Sequence, residues 1–317
     1  SNNTAVGRDT LNSNTTGASN VAVGKDAMVT NSTGTESTAV GTQALFANTT
    51  GSYNVAVGGG ALFTATTASS NTAVGKNAMR FNTTGANNTA TGRGALESNT
   101  TGTNNASFGK DAMYSNTTGA SNTATGVQAL RDNTTGDDNA ALGLNALLSN
   151  TTGSENTAVG TSALFTTTTG SNNIGLGRTA ISTSDTASGQ CTLGGSNISN
   201  LRCNDTSISS LSDSRDKTDV IDAPYGLDFI NTVRPVQYLW DTRDGNVKDG
   251  STRLGFIAQE LLAACDGNNA VLDLVLDDNP EKLEAKYGNL LPIMVQAIKD
   301  LSTQNAALAA RIAALEE

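Results

Sequence analysis

Small and apolar residues recur through the first 181 residues at one fixed spacing. The glycines of an Asn-Thr-Ala-Val-Gly motif fall at Gly7, Gly24, Gly41, Gly58, Gly75, Gly92, Gly109, Gly126, Gly143, Gly160 and Gly177, 17 residues apart. A second ladder keeps the same step: Leu11, Met28, Leu45, Leu62, Met79, Leu96, Met113, Leu130, Leu147, Leu164 and Ile181. A period held without insertions means that each unit stacks on the one before it, which is the signature of a solenoid. Coils about 4.8 Å apart would give a rod of roughly 50 Å. Within each unit, Thr-Ala-Val suits a short strand, and the glycine after it a backbone position that a Cβ would block. Asn-Thr-Thr-Gly reads as the opposite turn, its glycine free to take positive φ. One Val and one Leu per coil look too few for a private core, so several chains sharing one core are expected.

After Ile181 the period fades, and Ser, Thr and Asn dominate as far as Leu211. The divisions are therefore a repeat shaft over 1–181, a linker over 182–211 and a globular domain over 212–317. Gly226 to Asn231 predicts a short helix or turn, and Val233, Val236, Tyr238 and Trp240 a strand. Leu254-Gly255-Phe256-Ile257-Ala258 should lead into a helix near Gln259, and Ala270 to Leu276 reads as another strand. Leu291, Ile298, Asn305 and Ile312 are seven apart, as are Met294, Leu301, Leu308 and Leu315, offset by three. That is an a/d seam over about 290–317, with Pro292 tolerable in the first turn. Ile at a with Leu at d leans towards two strands, and Asn305 would fix the register. The fold class expected is a mostly β N-terminal part, a β-solenoid or β-roll, followed by an α+β domain ending in a coiled-coil helix.

Composition narrows the chemistry. The chain has no His, which removes Ser-His-Asp triads, Cys-His dyads and His metal sites. Residues 1–211 carry 9 basic and 11 acidic side chains and residues 212–317 carry 10 and 18, so neither part offers nucleic acid a basic surface. Cys191, Cys203 and Cys265 lack CxxC spacing and read as small buried hydrophobes, with an interchain bridge in an oligomer as the alternative. No apolar run is long enough to span a membrane. The Gly-x-Gly pairs at Gly92 and Gly175 lack the third glycine of a nucleotide loop. The segment from Asp241 to Asp249 lacks the ligand spacing of a calcium loop. Asn-Thr-Thr is formally a glycosylation sequon, but its return in nearly every coil suits turn chemistry better. No cofactor or metal is called for. The chain opens inside a repeat, which reads as a piece of a longer protein.

Ser212-Asp213-Ser214-Arg215-Asp216-Lys217 sits where globular sequence begins. Without His, a serine nucleophile needs another base, and a lysine serves if burial or a neighbouring cation favours its neutral form. Spacing alone fits a charged turn opening a domain equally well. That segment is followed in order by Gly226-Leu227-Asp228-Phe229-Ile230-Asn231, Arg234-Pro235-Val236 with Tyr238, Gly255-Phe256-Ile257-Ala258-Gln259-Glu260, Tyr287 and Leu291-Pro292. Together these blocks resemble the endosialidase-type intramolecular chaperone of phage tailspikes and tail fibres. The resemblance implies a domain that trimerises, templates the β-structured fibre upstream and then cleaves itself off between Leu211 and Ser212. It further implies Ser212 as nucleophile and Lys217 as general base, with Asp213 and Arg215 in support. The repeats are similar to the heads of trimeric autotransporter adhesins, which implies a trimeric shaft.

The function expected is a viral tail fibre or spike, a homotrimer that meets a host cell-surface receptor and binds neither nucleic acid nor membrane. Its location would be the virion, with the chaperone domain released in the host cytoplasm. A bacterial trimeric adhesin with a non-cleaving trimerisation domain is the alternative. It would carry a C-terminal anchor of amphipathic strands, whereas this chain ends in heptads. An ice-binding solenoid, suggested by the paired threonines, is a third reading that turn preference makes unnecessary.

Overall fold

The computed structural model describes residues 2–195, 198, 214–239, 252–281 and 283–316. The chain divides into two compact units, 1–200 and 201–317.

The first unit is a β-solenoid. Twelve three-residue strands, from β1 (Thr4–Val6) to β12 (Cys191–Leu193), form one parallel sheet in chain order. Each residue pairs with the residue 17 further on, as Ala5 does with Ala22 and Ala158 with Gly175. The ladder runs one strand past the apolar period, because Ile174 pairs with Cys191 inside the segment read as linker. Backbone pairing needs only the spacing, so it survives after the apolar side chains have gone.

A coil holds a core of its own, contrary to the expectation from its few large side chains. Ala22, Ala27 and Met28 are fully buried in one coil, and Ala39, Ala44 and Leu45 in the next. Two alanines fill the space beside one Leu or Met, so the interior is narrow enough for small residues. Burying each Leu or Met contributes about 2 kcal/mol.

Asparagines complete the interior as two side-chain ladders. In the first, Asn31 Nδ2 donates to Asn14 Oδ1 at 2.9 Å and to Gly34 O at 3.1 Å, and Asn116 donates likewise to Asn99 and Gly119. In the second, the backbone N of Asn88 donates to Asn71 Oδ1 at 3.0 Å, and Asn88 Nδ2 to Gly102 O at 2.8 Å. Apart from the half-exposed Asn14, the Asn of each Asn-Thr-Thr in these ladders is buried with its amide hydrogen-bonded, which accounts for the repeated sequon without glycosylation.

Positive φ sits elsewhere than the turn glycines. The strand glycines adopt it, as Gly24 does at φ +135°, but Gly17 and Gly34 do not. The turn glycine is needed for room: a Cβ on Gly51 would stand 2.5 Å from Asn48 Oδ1. The left-handed conformation falls instead on side-chain-bearing residues, among them Asp26, Met28 and Glu36 in one coil. It costs about 1–2 kcal/mol per residue. At Met28 that cost is offset by full burial and by a hydrogen bond from its N to Ala44 O at 3.0 Å.

The first ladder breaks at Ala65 and Thr167, and the acceptors left behind, Asn48 Oδ1 and Asn150 Oδ1, are buried without a partner. Asn145 Oδ1 is also unpaired, and no ladder accounts for it. Where the turn glycine becomes alanine, at Ala68 and Ala187, the residue three before it is Ala65 or Ser184 rather than Asn. The missing amide makes room for the methyl. The double substitution A65N/A68G should therefore restore two amide bonds and stabilise the shaft by about 2 kcal/mol. A65N alone, with the Ala68 methyl still present, should not stabilise it. Urea unfolding followed by circular dichroism separates the two.

The second unit contains α1 (Leu227–Ile230), an antiparallel pair β13 (Val236–Leu239) and β14 (Thr252–Gly255), α2 (Ala258–Ala264) and α3 (Asn269–Leu272). It continues with the short pair β15 (Val275–Leu276) and β16 (Glu284–Ala285), and ends in the helix α4 (Leu290–Glu316). Its core joins Phe229, Leu261, Cys265, Leu272, Leu274, Val275, Leu290 and Ile293. Ala270 to Leu272 is helical rather than extended. The Asn269 side chain holds the turn that follows, donating to Val275 O at 2.9 Å and accepting from Val275 N at 3.2 Å, so the strand shrinks to two residues. Cys265 is buried as expected, and burial pushes its thiol pKa up, whereas Cys191 is exposed on β12. Cys203, Trp240 and the Asp241–Asp249 segment lie outside the described residues.

Candidate functional site

The sequence blocks that carry the resemblance meet one another in the second unit. Gly226 precedes α1, and a Cβ there would collide with the Asp300 carboxylate of α4. Asp300 Oδ2 accepts from Leu227 N at 3.0 Å and Oδ1 from Gln296 Nε2 at 2.8 Å, bonds that hold its carboxyl below the usual range. Phe229, one turn on, packs into the core with Leu290 and Ile293. A short helix end is thereby fixed to the long helix by one carboxylate and one aromatic ring.

A second junction joins the strand pair to the segment before α4. A Cβ on Gly255 would stand 2.8 Å from the Tyr287 hydroxyl and 3.2 Å from Tyr238 Cε1, so glycine is required where the rings converge. Phe256 meets Tyr287 edge to face, with centroids 5.4 Å apart. Arg234 grips Glu260 through a forked pair, Nε to Oε2 at 3.0 Å and Nη2 to Oε1. That hydrogen bonding lowers the Glu260 pKa and raises that of Arg234. Both side chains are exposed, so the pair orients more than it stabilises. Sequence order alone could not show that Arg234, Tyr238, Gly255, Glu260 and Tyr287 form one scaffold.

The residues expected to do chemistry stand at the entrance to this unit. Ser214–Asp216 form one turn of 3₁₀ helix, and Lys217 N donates back to Ser214 O at 3.4 Å. Arg215 and Lys217 are exposed. Leu211, Ser212 and Asp213 lie outside the described residues, so the structure assigns no distance between the Ser212 hydroxyl and the Lys217 ammonium. Among the described residues no group of three or more His, Cys, Asp or Glu side chains is placed to hold a metal ion.

Residues 212–272 match the chaperone-of-endosialidase family model. The match opens on Ser212 and takes in α1, the strand pair, α2 and α3. Residues 212–272 of the second unit thus carry an endosialidase-type chaperone domain, a family associated with self-cleavage. No curated protein and no solved structure matches the chain. Gly226, Phe229, Arg234, Gly255 and Glu260, all within the match, are the residues that the two junctions use structurally.

In α4 the heptad seam faces outward. Leu291, Ile298, Leu308 and Ile312 are 50–67% exposed, while the helix packs on its own unit through Leu290, Ile293 and Ala297. The second unit therefore ends in a helix whose heptad seam is exposed among the described residues. Among the described residues no helix is long and apolar enough to cross a membrane.

Proposed function

We propose that the chain is part of a viral tail fibre or spike whose chaperone domain assembles a homotrimer and then cuts itself off between Leu211 and Ser212. The observation that carries this reading is the family match opening on Ser212, at the head of a Ser-Asp-x-Arg-x-Lys segment in a chain without His. Two apolar surfaces that are exposed among the described residues support assembly. One is the α4 seam; the other is the outer column of the solenoid sheet, where Val6, Val40, Phe108, Leu142, Val159 and Leu176 are exposed. Burying such columns between copies supplies the driving force for association.

The cut is a single-turnover acyl transfer. Ser212 Oγ attacks the Leu211 carbonyl carbon, and Lys217 takes the hydroxyl proton. The C–N bond breaks, the Ser212 amine leaves with that proton, and Leu211 is held as an ester on Oγ. Water then attacks the ester, giving a Leu211 carboxylate and a free Ser212 hydroxyl. Lys217 is exposed in the single chain, and a lysine acts as a base where neighbours strip water from it, so association would complete the site. Arg215 and Asp213 would position this pair. Release then leaves the shaft trapped as a fibre, with a host receptor as its partner and the virion as its location.

The test is the intact mass of purified wild type beside Ser212→Ala and Lys217→Ala. Two pieces from the wild type, the second beginning at Ser212, and one uncut chain from each variant are expected. Cutting in either variant removes that residue from the dyad. A wild type that is oligomeric and uncut favours the adhesin-like alternative.

A further inference from the structure

The shaft's repeat provides an internal control for reading its departures. The position two after the strand glycine is Asp9, Asp26, Gln43, Asn77, Asp111, Gln128, Asn145, Ser162 or Thr179 in nine coils, at φ 53–60°. The backbone there does not demand glycine, yet two coils have Gly60 and Gly94. A Cβ on Gly94 would stand 2.8 Å from Asp111 Oδ1, 3.1 Å from Glu97 Oε2 and 3.5 Å from the Tyr114 ring. Glycine at this coil leaves room for three side chains that line one groove.

That groove has a volume of about 560 Å³ and is lined by Arg93, Glu97, Asp111, Tyr114, Arg131 and Asp132, with Lys76 at one side. Its cations and carboxylates are equal in number, so it has no net charge. Arg131 forks onto Asp132 with two 2.8 Å bonds, and Arg93 lies 3.4 Å from Asp111, which fixes the direction of each group. Glu97 makes no side-chain hydrogen bond among the described residues. Burial raises its pKa, an effect that the nearby Arg80 opposes. Tyr114 is exposed and has no stacking partner among the described residues.

We propose that this groove binds a neutral oligosaccharide. A sugar ring offers adjacent hydroxyls, which donate to carboxylates and accept from guanidiniums, and an apolar C–H face, which stacks on an aromatic ring. Fixed donors and acceptors of both signs, an unused carboxylate and one open ring match that pattern. A phosphorylated or sulfated ligand would require an excess of cations, which the lining lacks. The site is independent of the self-cleavage reading.

The experiment probes the intact chain on an array of neutral hexose and N-acetylhexosamine oligosaccharides, with sulfated and sialylated glycans in parallel. Wild type should retain one or more neutral glycans. Glu97→Gln, Tyr114→Ala and Gly94→Asn should each weaken that retention by about tenfold or more, the loss of one good contact. Asn is already present at the matching position of other coils, so Gly94→Asn should melt with the wild type and fill the groove without harming the shaft. Wild type that binds no neutral glycan better than Gly94→Asn does, or that retains only anionic glycans, overturns the proposal.

Discussion

Gly109→Ala is expected to destabilise the shaft by about 4 kcal/mol, far more than an ordinary surface change. Gly109 sits at φ +144°, and a Cβ there would meet the Gly126 carbonyl of the next coil, 2.6 Å from its carbon. Both atoms belong to stacked backbone, so neither can swing aside as a side chain could. Relief would require the two coils to move apart, breaking the ladder between β7 (Ala106–Phe108) and β8 (Thr123–Thr125). In a repeat array the coupling between neighbours carries much of the stability, so one open step weakens both sides. Gly59→Ala is the control. Gly59 has no positive φ, and its added Cβ would lie 3.9 Å from Thr42 O, so the change should fall within about 0.5 kcal/mol. Urea unfolding of both variants measures the difference, and equal midpoints would remove the stacked-backbone account of the glycine ladder.

Ile298→Asp combined with Leu301→Asp should dissociate the proposed oligomer. Both side chains lie in the α4 seam, with Ile298 67% and Leu301 47% exposed in the single chain. Each buried Ile or Leu contributes about 2 kcal/mol, and the substitution places charges where copies would meet, so association should fall by more than about a thousandfold. The α4 contacts inside its own unit use Leu290, Ile293 and Ala297 and are untouched. The domain should stay folded by circular dichroism while sedimentation reports a monomer. A variant that keeps the wild-type mass would show that the seam does not hold the assembly. The same sedimentation run on wild type decides between the two strands favoured by Ile at a with Leu at d and the three implied by the family resemblance.

Much of the shaft was legible because a strict period leaves one arrangement open. Gly7 to Gly177 and Leu11 to Ile181 set the coil length, the strand position and the apolar ladder. The private core was not legible, since it depends on alanines such as Ala22 and Ala27, which carry little hydrophobic weight singly. Asn14 and Asn31 looked like turn residues, and only stacking shows their amides joined in a column. The left-handed Met28 and Leu45 ran against expectation, because burial and hydrogen bonding outweigh a local preference for glycine.

In the second unit the order of blocks was readable, but their convergence was not. Tyr238, Gly255 and Tyr287 are far apart in sequence and meet only when the strand pair returns on the segment before α4. Ala270 to Leu272 read as strand from its apolar run, and the Asn269 side chain reversed that outcome. Ser212 and Lys217 were visible as a motif; the structure adds only that Lys217 is exposed, because Ser212 lies outside the described residues.

Native mass spectrometry of freshly purified wild type reports cutting and assembly together. A trimer of fragments ending at Leu211 and a separate species of fragments beginning at Ser212 are expected. A single uncut monomer of 317 residues would contradict both the self-cleavage and the assembly that is proposed to trigger it.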